Sequence, residues 1–248
     1  MKALRAIVTG GATNIGRAIT ENFLAQGGRV VVGQPDVAVA APLVERYGDR
    51  VIPLRVDVGD PAQCTAFIDE AARLLGGLDV LVNNAAITGA SAATPLPDLT
   101  PADFSRIVGV NFGGVVFCSQ AAVPHLRAAG GGVIIHISSI NAVRPQRGAM
   151  IYAATKAAVG SLAQSMGKEL AADRIRVVGV APGDIRGEGA AQQLAEMAAR
   201  GVGGDVVNQT PLGFGAPADI AETVAFLCSD RARFVTGTTW LVDGGLLA

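Results

Sequence analysis

Residues 133–166, VIIHISSINAVRPQRGAMIYAATKAAVGSLAQSM, constrain the fold more than any other part of the chain. They open with an apolar run, 133–137, biased toward β-branched residues. A strand of that kind has no polar face to give to water and suits a parallel sheet covered on both sides. They close with an Ala-rich stretch whose apolar residues recur at helical spacing, so Tyr152 and Lys156, four apart, project from one helix face. Ser139 leaves the strand end thirteen residues before Tyr152. A hydroxyl, a phenol and an ammonium therefore gather at the carboxyl end of a parallel strand, where open α/β sheets place their ligands.

Charge decides what this trio can do. A tyrosine of ordinary pKa, about 10, accepts protons poorly near neutrality, and lowering that value by about three units takes roughly 4 kcal/mol. One ammonium about 4 Å away at an effective dielectric of about 20 supplies roughly that much. Lys156 is thus expected to make Tyr152 a general acid/base, with Ser139 hydrogen-bonding the oxygen that gains or loses the proton. With two tyrosines and three lysines in 248 residues, a chance Tyr-x3-Lys has odds of about 2%. The pattern gains its meaning from a cofactor site elsewhere in the chain.

That site has a candidate at the other end. A short apolar strand at 4–9 runs at once into Gly10-Gly11-Ala12-Thr13-Asn14-Ile15-Gly16 and then a helical stretch to about Gln26. Small residues let a pyrophosphate approach the backbone, and the helix N-terminus offers free N–H groups and a positive dipole; Gly10, Thr13, Asn14, Ile15 and Gly16 are the expected contacts. A second strand, 29–33, ends in Gly33-Gln34-Pro35-Asp36. No cation stands there to meet a 2′-phosphate, which favours NAD over NADP, with Gln34 or Asp36 on the adenosine ribose. A third strand, 51–56, ends in Asp57-Val58, which reads either as an adenine-edge contact or as a turn or cap before Pro61. A fourth, 78–82, runs into Asn83-Asn84-Ala85-Ala86, two amides able to lock neighbouring strands and small residues that leave room for a flat ring.

A helical pattern over 101–129 carries Asn111 in its middle, a polar amide that needs a partner in an apolar segment. It either holds a water leading to Lys156 or makes a side-chain-to-backbone bond that bends the helix. His125 is expected at the surface or capping a helix end, and neither His125 nor His136 has acids beside it in sequence, so no metal is expected. A further strand at 174–180 ends in Ala181-Pro182-Gly183-Asp184-Ile185. The segment 186–211 follows as a lid over substrate. A helix at 217–228, with acids favoured in its first turn, and a strand at 238–242 closed by Asp243-Gly244-Gly245 complete the chain.

Strands alternate with helices throughout, with no linker or repeat. The expectation is one α/β domain over 1–248, a Rossmann-like doubly wound parallel sheet of about seven strands with helices on both faces. Composition allows it: half the residues are hydrophobic, 17% are charged and only 4% are aromatic, which suits a large core of Val, Ile, Leu and Ala. A net charge of −1 with no basic stripe argues against nucleic acid. Cys64, Cys118 and Cys228 are read as buried thiols in a reducing compartment. No secretory h-region precedes the first strand, and no apolar run approaches the ~20 residues of a membrane span, so a soluble cytoplasmic protein is expected.

Together the residues resemble the short-chain dehydrogenase/reductase family from Thr9 to Gly245. The matching motifs are TGGATNIG at 9–16, Asp57-Val58, NNAA at 83–86, Asn111, Ser139 with Tyr152-x3-Lys156, PGDI at 182–185 and VDGG near the end. The resemblance implies that Tyr152 is the acid/base, that Lys156 lowers its pKa and binds the nicotinamide ribose, that Ser139 holds the substrate oxygen, and that Asn111 supports a water-mediated proton relay. It also implies cofactor contacts at Asn84, Ala85, Ala86, Pro182, Gly183 and Ile185, and a homotetramer built on the helices at 101–129 and 153–172 and the last strand. The chain departs from the family in carrying Asn14 for a middle glycine, Ala86 for the glycine of NNAG, and Gln34 where NAD-preferring members often carry Asp. Asn tolerates positive φ better than most residues.

The activity implied is hydride transfer between a nicotinamide cofactor and a secondary alcohol or ketone. Ile140, Asn141, Gln146, Arg147, Met150 and Asp184 would face the substrate, and the arginines at 144, 147 and 186 leave room for a hydroxylated or anionic one. Two alternatives stand beside it: a 3-oxoacyl thioester reductase using NADPH, and a non-catalytic dinucleotide sensor or scaffold, which should lose the Tyr or Lys that this chain keeps.

Overall fold

The computed structural model describes residues 4–187, 190–199 and 210–248. Seven strands, β1 (Arg5–Thr9), β2 (Arg29–Gln34), β3 (Val51–Arg55), β4 (Val80–Asn83), β5 (Gly132–Ile137), β6 (Ile175–Pro182) and β7 (Thr238–Val242), form one sheet of order β3-β2-β1-β4-β5-β6-β7. Every neighbouring pair is parallel. The helices are α1 (Asn14–Ala25), α2 (Ala41–Tyr47), α3 (Pro61–Leu75), α4 (Pro101–Val108), α5 (Gly114–Ala128), α6 (Met150–Glu169), α7 (Ala190–Ala199) and α8 (Pro217–Cys228). The chain enters at β1 in mid-sheet, winds outward to β3, returns to β4 beside β1 and winds the other way to β7. The reversal between β1 and β4 opens a crevice at their carboxyl ends.

Period-two alternation explains why the strands read as continuous apolar runs. Val8, Val30, Val32 and Ile135 enter a core completed by Ile19, Phe23, Ile220 and Val224 from α1 and α8. Their neighbours Ile7, Val31, Leu81 and Ile134 enter a second core on the opposite face, with Phe67, Ile68, Cys118 and Leu126 from α3 and α5. Each face of the sheet is thus covered, as parallel sheets require.

The expected helix over 101–129 forms, but a π-turn at Gly109–Gly113 joins α4 to α5. Such single-turn bulges often accompany functional sites. Within Pro101–Ala128 an 18-residue window reaches a mean hydropathy of 1.5, enough to cross a membrane by length and composition. Its apolarity has a packing cause: Ile107, Val115, Cys118, Ala122 and Leu126 are buried in the protein's own core. The cysteines are free thiols. Cys64 and Cys118 are buried, Cys64 Sγ donating to the Val58 carbonyl at 3.3 Å, whereas Cys228 is only half-buried.

His136 lies on the floor of the second core, wholly buried. Asn83 Nδ2 donates to Ser119 Oγ at 2.9 Å and lies 3.1 Å from His136 Nδ1. Nδ1 is the acceptor there, and the ring is neutral. Burial holds its pKa down at about 4 from the ordinary 6.5, and the Lys156 charge acts in the same sense against an opposing backbone contact at Ile135. A depressed folded-state value means that the unfolded chain binds the extra proton between about pH 6.5 and 4, so stability is full above that window and falls on acidification. Urea unfolding at pH 7 and pH 5 is expected to differ by about 2 kcal/mol from this group. H136Q should lose that part of the difference, and an unchanged pH dependence would place its origin elsewhere.

Candidate active site

A cleft of about 1350 Å³ runs along the carboxyl ends of β1 to β6. At its centre, Thr9 and Asn84 bind β1 to β4. The Asn84 and Ala85 N–H groups donate to Thr9 Oγ1 at 3.0 and 3.1 Å, and Asn84 Nδ2 donates to the carbonyls of Thr9 and Gly10 at 3.0 and 3.1 Å. The expected locking role of the amide pair falls to Asn84, while Asn83 turns down to His136.

Beside this lock stands the glycine turn. Gly10 has φ +65°, and Asn14, in the place of a glycine, has φ +47°, a left-handed conformation that Asn tolerates. A Cβ on Gly16 would overlap the Gly10 carbonyl, so helix and turn approach as closely as only glycine permits. No side chain caps α1 and no acid occupies its first turn. Its N–H groups are therefore available to an anion. Gln34 is buried behind the turn; with its carboxamide oriented to satisfy both partners, Oε1 accepts from the Gly11 and Ala12 N–H groups at 3.1 and 2.6 Å. Its NH2 then takes the side where acceptors stand. The donor set fits a dinucleotide: free N–H groups for a pyrophosphate, a neutral amide for a ribose hydroxyl and small residues at Ala85 and Ala86.

The expected cofactor contacts Gly10, Thr13, Asn14, Ile15, Gly16, Gln34, Asp57, Val58, Asn84, Ala85, Ala86, Pro182, Gly183 and Ile185 all line this cleft. Asp36 does not: it lies outside the wall and its carboxylate caps the following 3-10 turn by accepting from Ala38 N at 3.0 Å. Pro35 before it and Val39 after it both line the wall, so Asp36 sits at an outward bend between them. Asp57 lines the wall but also folds its own turn, accepting from Gly59 N at 2.9 Å, while Asp60 caps α3.

Ser139, Tyr152 and Lys156 meet at the other end, as their spacing requires. Tyr152 lies in the first turn of α6 and Lys156 in the second. Asn141 N donates to Ser139 Oγ at 3.1 Å, which leaves the Ser139 O–H as a donor, and Ser139 draws the Tyr152 pKa down. The neighbouring Ser138 is spoken for, its Oγ donating to the Lys156 carbonyl at 2.8 Å. Lys156 is buried and its Nζ donates to the Ile137 carbonyl at 2.8 Å, 5.7 Å from the centre of the Tyr152 ring.

The electrostatics correct the simple pairing argument. Burial pushes the Tyr152 phenol up and only Ser139 pulls it back, while burial lowers Lys156 from 10.5 to about 8. Desolvation of both groups outweighs their attraction, and Lys156 spends one donor on β5. Spacing put the two on one helix face but carried no information on how dry that face would be.

Asn111, in the π-turn, is buried and outside the cleft wall. Oδ1 accepts from Ile87 N at 2.7 Å and Nδ2 donates to Ile87 O at 3.0 Å, which makes it the splint of the segment after β4; Nδ2 also reaches Thr155 Oγ1 at 3.5 Å. Ile140, Asn141, Gln146, Asp184, Ile185 and Arg186 line the substrate end, but Arg147 and Met150 do not. Met150 opens α6 two residues before Tyr152 and so points to the other side of the helix from the cleft-facing phenol, and Arg147 lies in the exposed turn before it. The expected lid contributes Ala190 and Ala198 of α7 to the wall, and α7 packs on the 3-10 turn Gly89–Ala92 across the cleft; its residues 188–189 and 200–209 lie outside the described ones. Sequence reasoning missed Thr88, Arg106 and Leu246 in the wall; the apolar residue just after VDGG was the one signal for Leu246. His125 is paired with Asp69 at 2.7 Å, and no group of three or more metal-ligating residues forms among the described ones.

Comparison with known proteins agrees with this geometry. The family model described as enoyl-(acyl carrier protein) reductase matches residues 10–247. The cis-4-hydroxycyclohexanecarboxylate dehydrogenase of Sinomonas cyclohexanicum is 39% identical over 98% of this chain and 96% of its own. A crystal structure of a short-chain alcohol dehydrogenase from Sinorhizobium meliloti superposes with a TM-score of 0.88 at 33% identity, over 100% of this chain and 97% of that one. This chain is a short-chain dehydrogenase/reductase. The 3-ketoacyl-(acyl-carrier-protein) reductase of Brucella melitensis, solved with NADH, superposes with a TM-score of 0.86 at 31% identity, over 98% of both chains. Like its family, this short-chain dehydrogenase/reductase is an NAD(P)-dependent oxidoreductase that moves a hydride between a nicotinamide cofactor and an alcohol or ketone.

The Asn111 splint gives a direct test. N111L, close to Asn in size, leaves the Ile87 N–H and C=O without their partners and is expected to cost about 1–3 kcal/mol. A thermal melt should fall by several degrees; an unchanged midpoint would show that Ile87 finds other partners.

Proposed function

We propose that this enzyme uses NAD(H) to interconvert a neutral secondary alcohol and its ketone, with Tyr152 as the acid/base, Ser139 holding the reacting oxygen, Lys156 binding the nicotinamide ribose and Asn111 supporting the relay behind it. The observation that carries this reading is that Ser139, Tyr152 and Lys156 line the same cleft as an uncapped helix N-terminus. In reduction, Tyr152 gives its proton to the ketone oxygen, and its raised pKa keeps it loaded at neutral pH. In oxidation, the Tyr152 phenolate takes the hydroxyl proton while Ser139 O–H donates to the same oxygen. The bound nicotinamide supplies the hydride donor or acceptor and, when oxidised, a positive charge that favours the phenolate. Lys156, held to Ile137, keeps further N–H donors for ribose hydroxyls.

Gln34 supports NAD over NADP. Its NH2 suits a ribose hydroxyl, and the arginine in this part of the wall, Arg17, is paired with Glu21 at 3.2 Å. The arginines at the substrate end support a neutral substrate over an anionic one. Arg186 pairs with Asp184 at 3.6 Å and stacks on Phe214, and Arg106 holds the Ser91 carbonyl at 3.0 Å beside Asp103. Asn141, its Oδ1 fixed by Gln146 N at 2.9 Å, keeps its NH2 for a substrate oxygen. The reading includes a lid at 186–211, a cytoplasmic location and a homotetramer built on α4–α5, α6 and β7, where Phe104 and Leu241 leave apolar surface exposed.

Y152F is expected to keep NADH affinity and lose turnover by about 10²–10⁴-fold; persisting turnover would remove Tyr152 from its role. Calorimetric titration should show NADH bound at least tenfold tighter than NADPH, about 1.4 kcal/mol, and the reverse order would overturn the assignment of Gln34. Among cyclohexanols, a neutral alcohol should exceed its 4-carboxylate analogue in kcat/KM, and a preference for the carboxylate would show that an arginine is released on binding.

A further inference from the structure

Asn14 and Gly187 touch from opposite sides of the cleft's rim. Asn14 opens α1 at the glycine turn with φ +47°. Gly187 follows β6, and a Cβ built on it would overlap Asn14 Oδ1 and approach Pro217 Cγ to 3.0 Å. A larger residue there, on the strap from strand to lid, would have to turn that carboxamide aside.

The strap cannot retreat. On its outer side Arg186 N donates to the Gly215 carbonyl at 2.8 Å, Gly215 N donates to the Asp184 carbonyl at 3.1 Å, and Ile185 bridges to Gly215. The Arg186 guanidinium lies on the Phe214 ring. At its inner end the Gly187 carbonyl accepts from Ala190 N of α7 at 3.2 Å. Helix α7 in turn packs across the cleft on the turn Gly89–Ala92. One carboxamide therefore contacts the anchor of the helix that covers the substrate end, and it is borne by the residue whose backbone belongs to the phosphate-binding turn.

We propose that Asn14 is a positioning residue that couples dinucleotide binding to the seating of α7. The inference rests on the dinucleotide reading of the cleft. An anion on the α1 N–H groups fixes the Asn14 backbone; the side chain, wedged against Gly187, then fixes the strap and with it the first turn of α7. A glycine at position 14 would bind phosphate without this connection.

Hydrogen exchange and calorimetry on the intact enzyme test the coupling. In the wild type, saturating NADH should slow exchange of the 190–199 amides at least fivefold; in N14G, also saturated with NADH, the slowing should drop below twofold. G187A should weaken NADH binding five- to tenfold, because its methyl drives the Asn14 carboxamide back toward the turn, and N14G/G187A should return to within twofold of N14G. Retained protection of α7 in N14G, or additive losses of affinity in the double variant, overturns the proposal. If the wild type binds NADH yet α7 exchange does not respond, the coupling alone fails; if the wild type binds no NADH, the dinucleotide reading fails with it.

Discussion

The Thr9 hydroxyl and the Asn84 carboxamide hold together the two strands between which the chain reverses its winding. Everything else in the site is placed relative to that seam. Adjacent strands that wind in opposite senses leave their connecting loops splayed apart, and the crevice so made would expose two strand ends with unpaired backbone groups. Thr9 and Asn84 satisfy those groups from side chains. The loops are thereby free to part, the glycine turn to one side and the Asn84–Ile87 segment to the other. Asn111 continues the same device one layer back: buried in a π-turn, it satisfies both backbone groups of Ile87. The cleft is a place where side chains have replaced ladder hydrogen bonds, and this lets a large opening exist at the edge of a closely packed sheet.

At the far end of the seam the governing quantity is desolvation. Lys156 is buried, its ammonium brought down to about 8, and Tyr152 is pushed the other way. Each shift alone opposes the charged form. A Tyr–Lys pair in this state holds its proton on the phenol, which suits donation to a ketone. Moving it toward phenolate needs a further positive charge, and the oxidised nicotinamide brings one. The direction of the chemistry is thus written partly into the cofactor's redox state rather than into the protein alone.

Much of this was legible before any coordinates. The seven strands follow from apolar runs that alternate with helical patterns, and all seven lie where those runs do, to within one or two residues. Tyr152 and Lys156 follow from i, i+4 spacing, and the phosphate turn from small residues between a strand and a helix. What the sequence hid falls into two physical classes. One is the direction of side chains in irregular segments: Asp36 and Arg147 sit beside residues that line the cleft, yet turns carry them away, since no periodicity fixes a loop. The other is the dielectric environment. Four-residue spacing says that two groups can meet, but the sign of the Tyr152 shift depends on how much water α6, β5 and Ser139 exclude, which is a property of the packed whole.

Asn14 belongs to a third kind, where the residue type was legible and its consequence was not. A carboxamide in a glycine's place reads in sequence as a perturbation of phosphate binding, tolerable because Asn accepts positive φ. Its backbone indeed adopts that conformation. The consequence lies 173 residues away, at a glycine that has no special φ and no motif. Gly187 matters by proximity, because a Cβ there would meet the Asn14 oxygen and displace it. Two local departures, one larger than the usual turn residue and one the smallest possible, are complementary in shape across the rim. That complementarity is what joins the helix over the substrate end to the turn at the opposite end of the cleft.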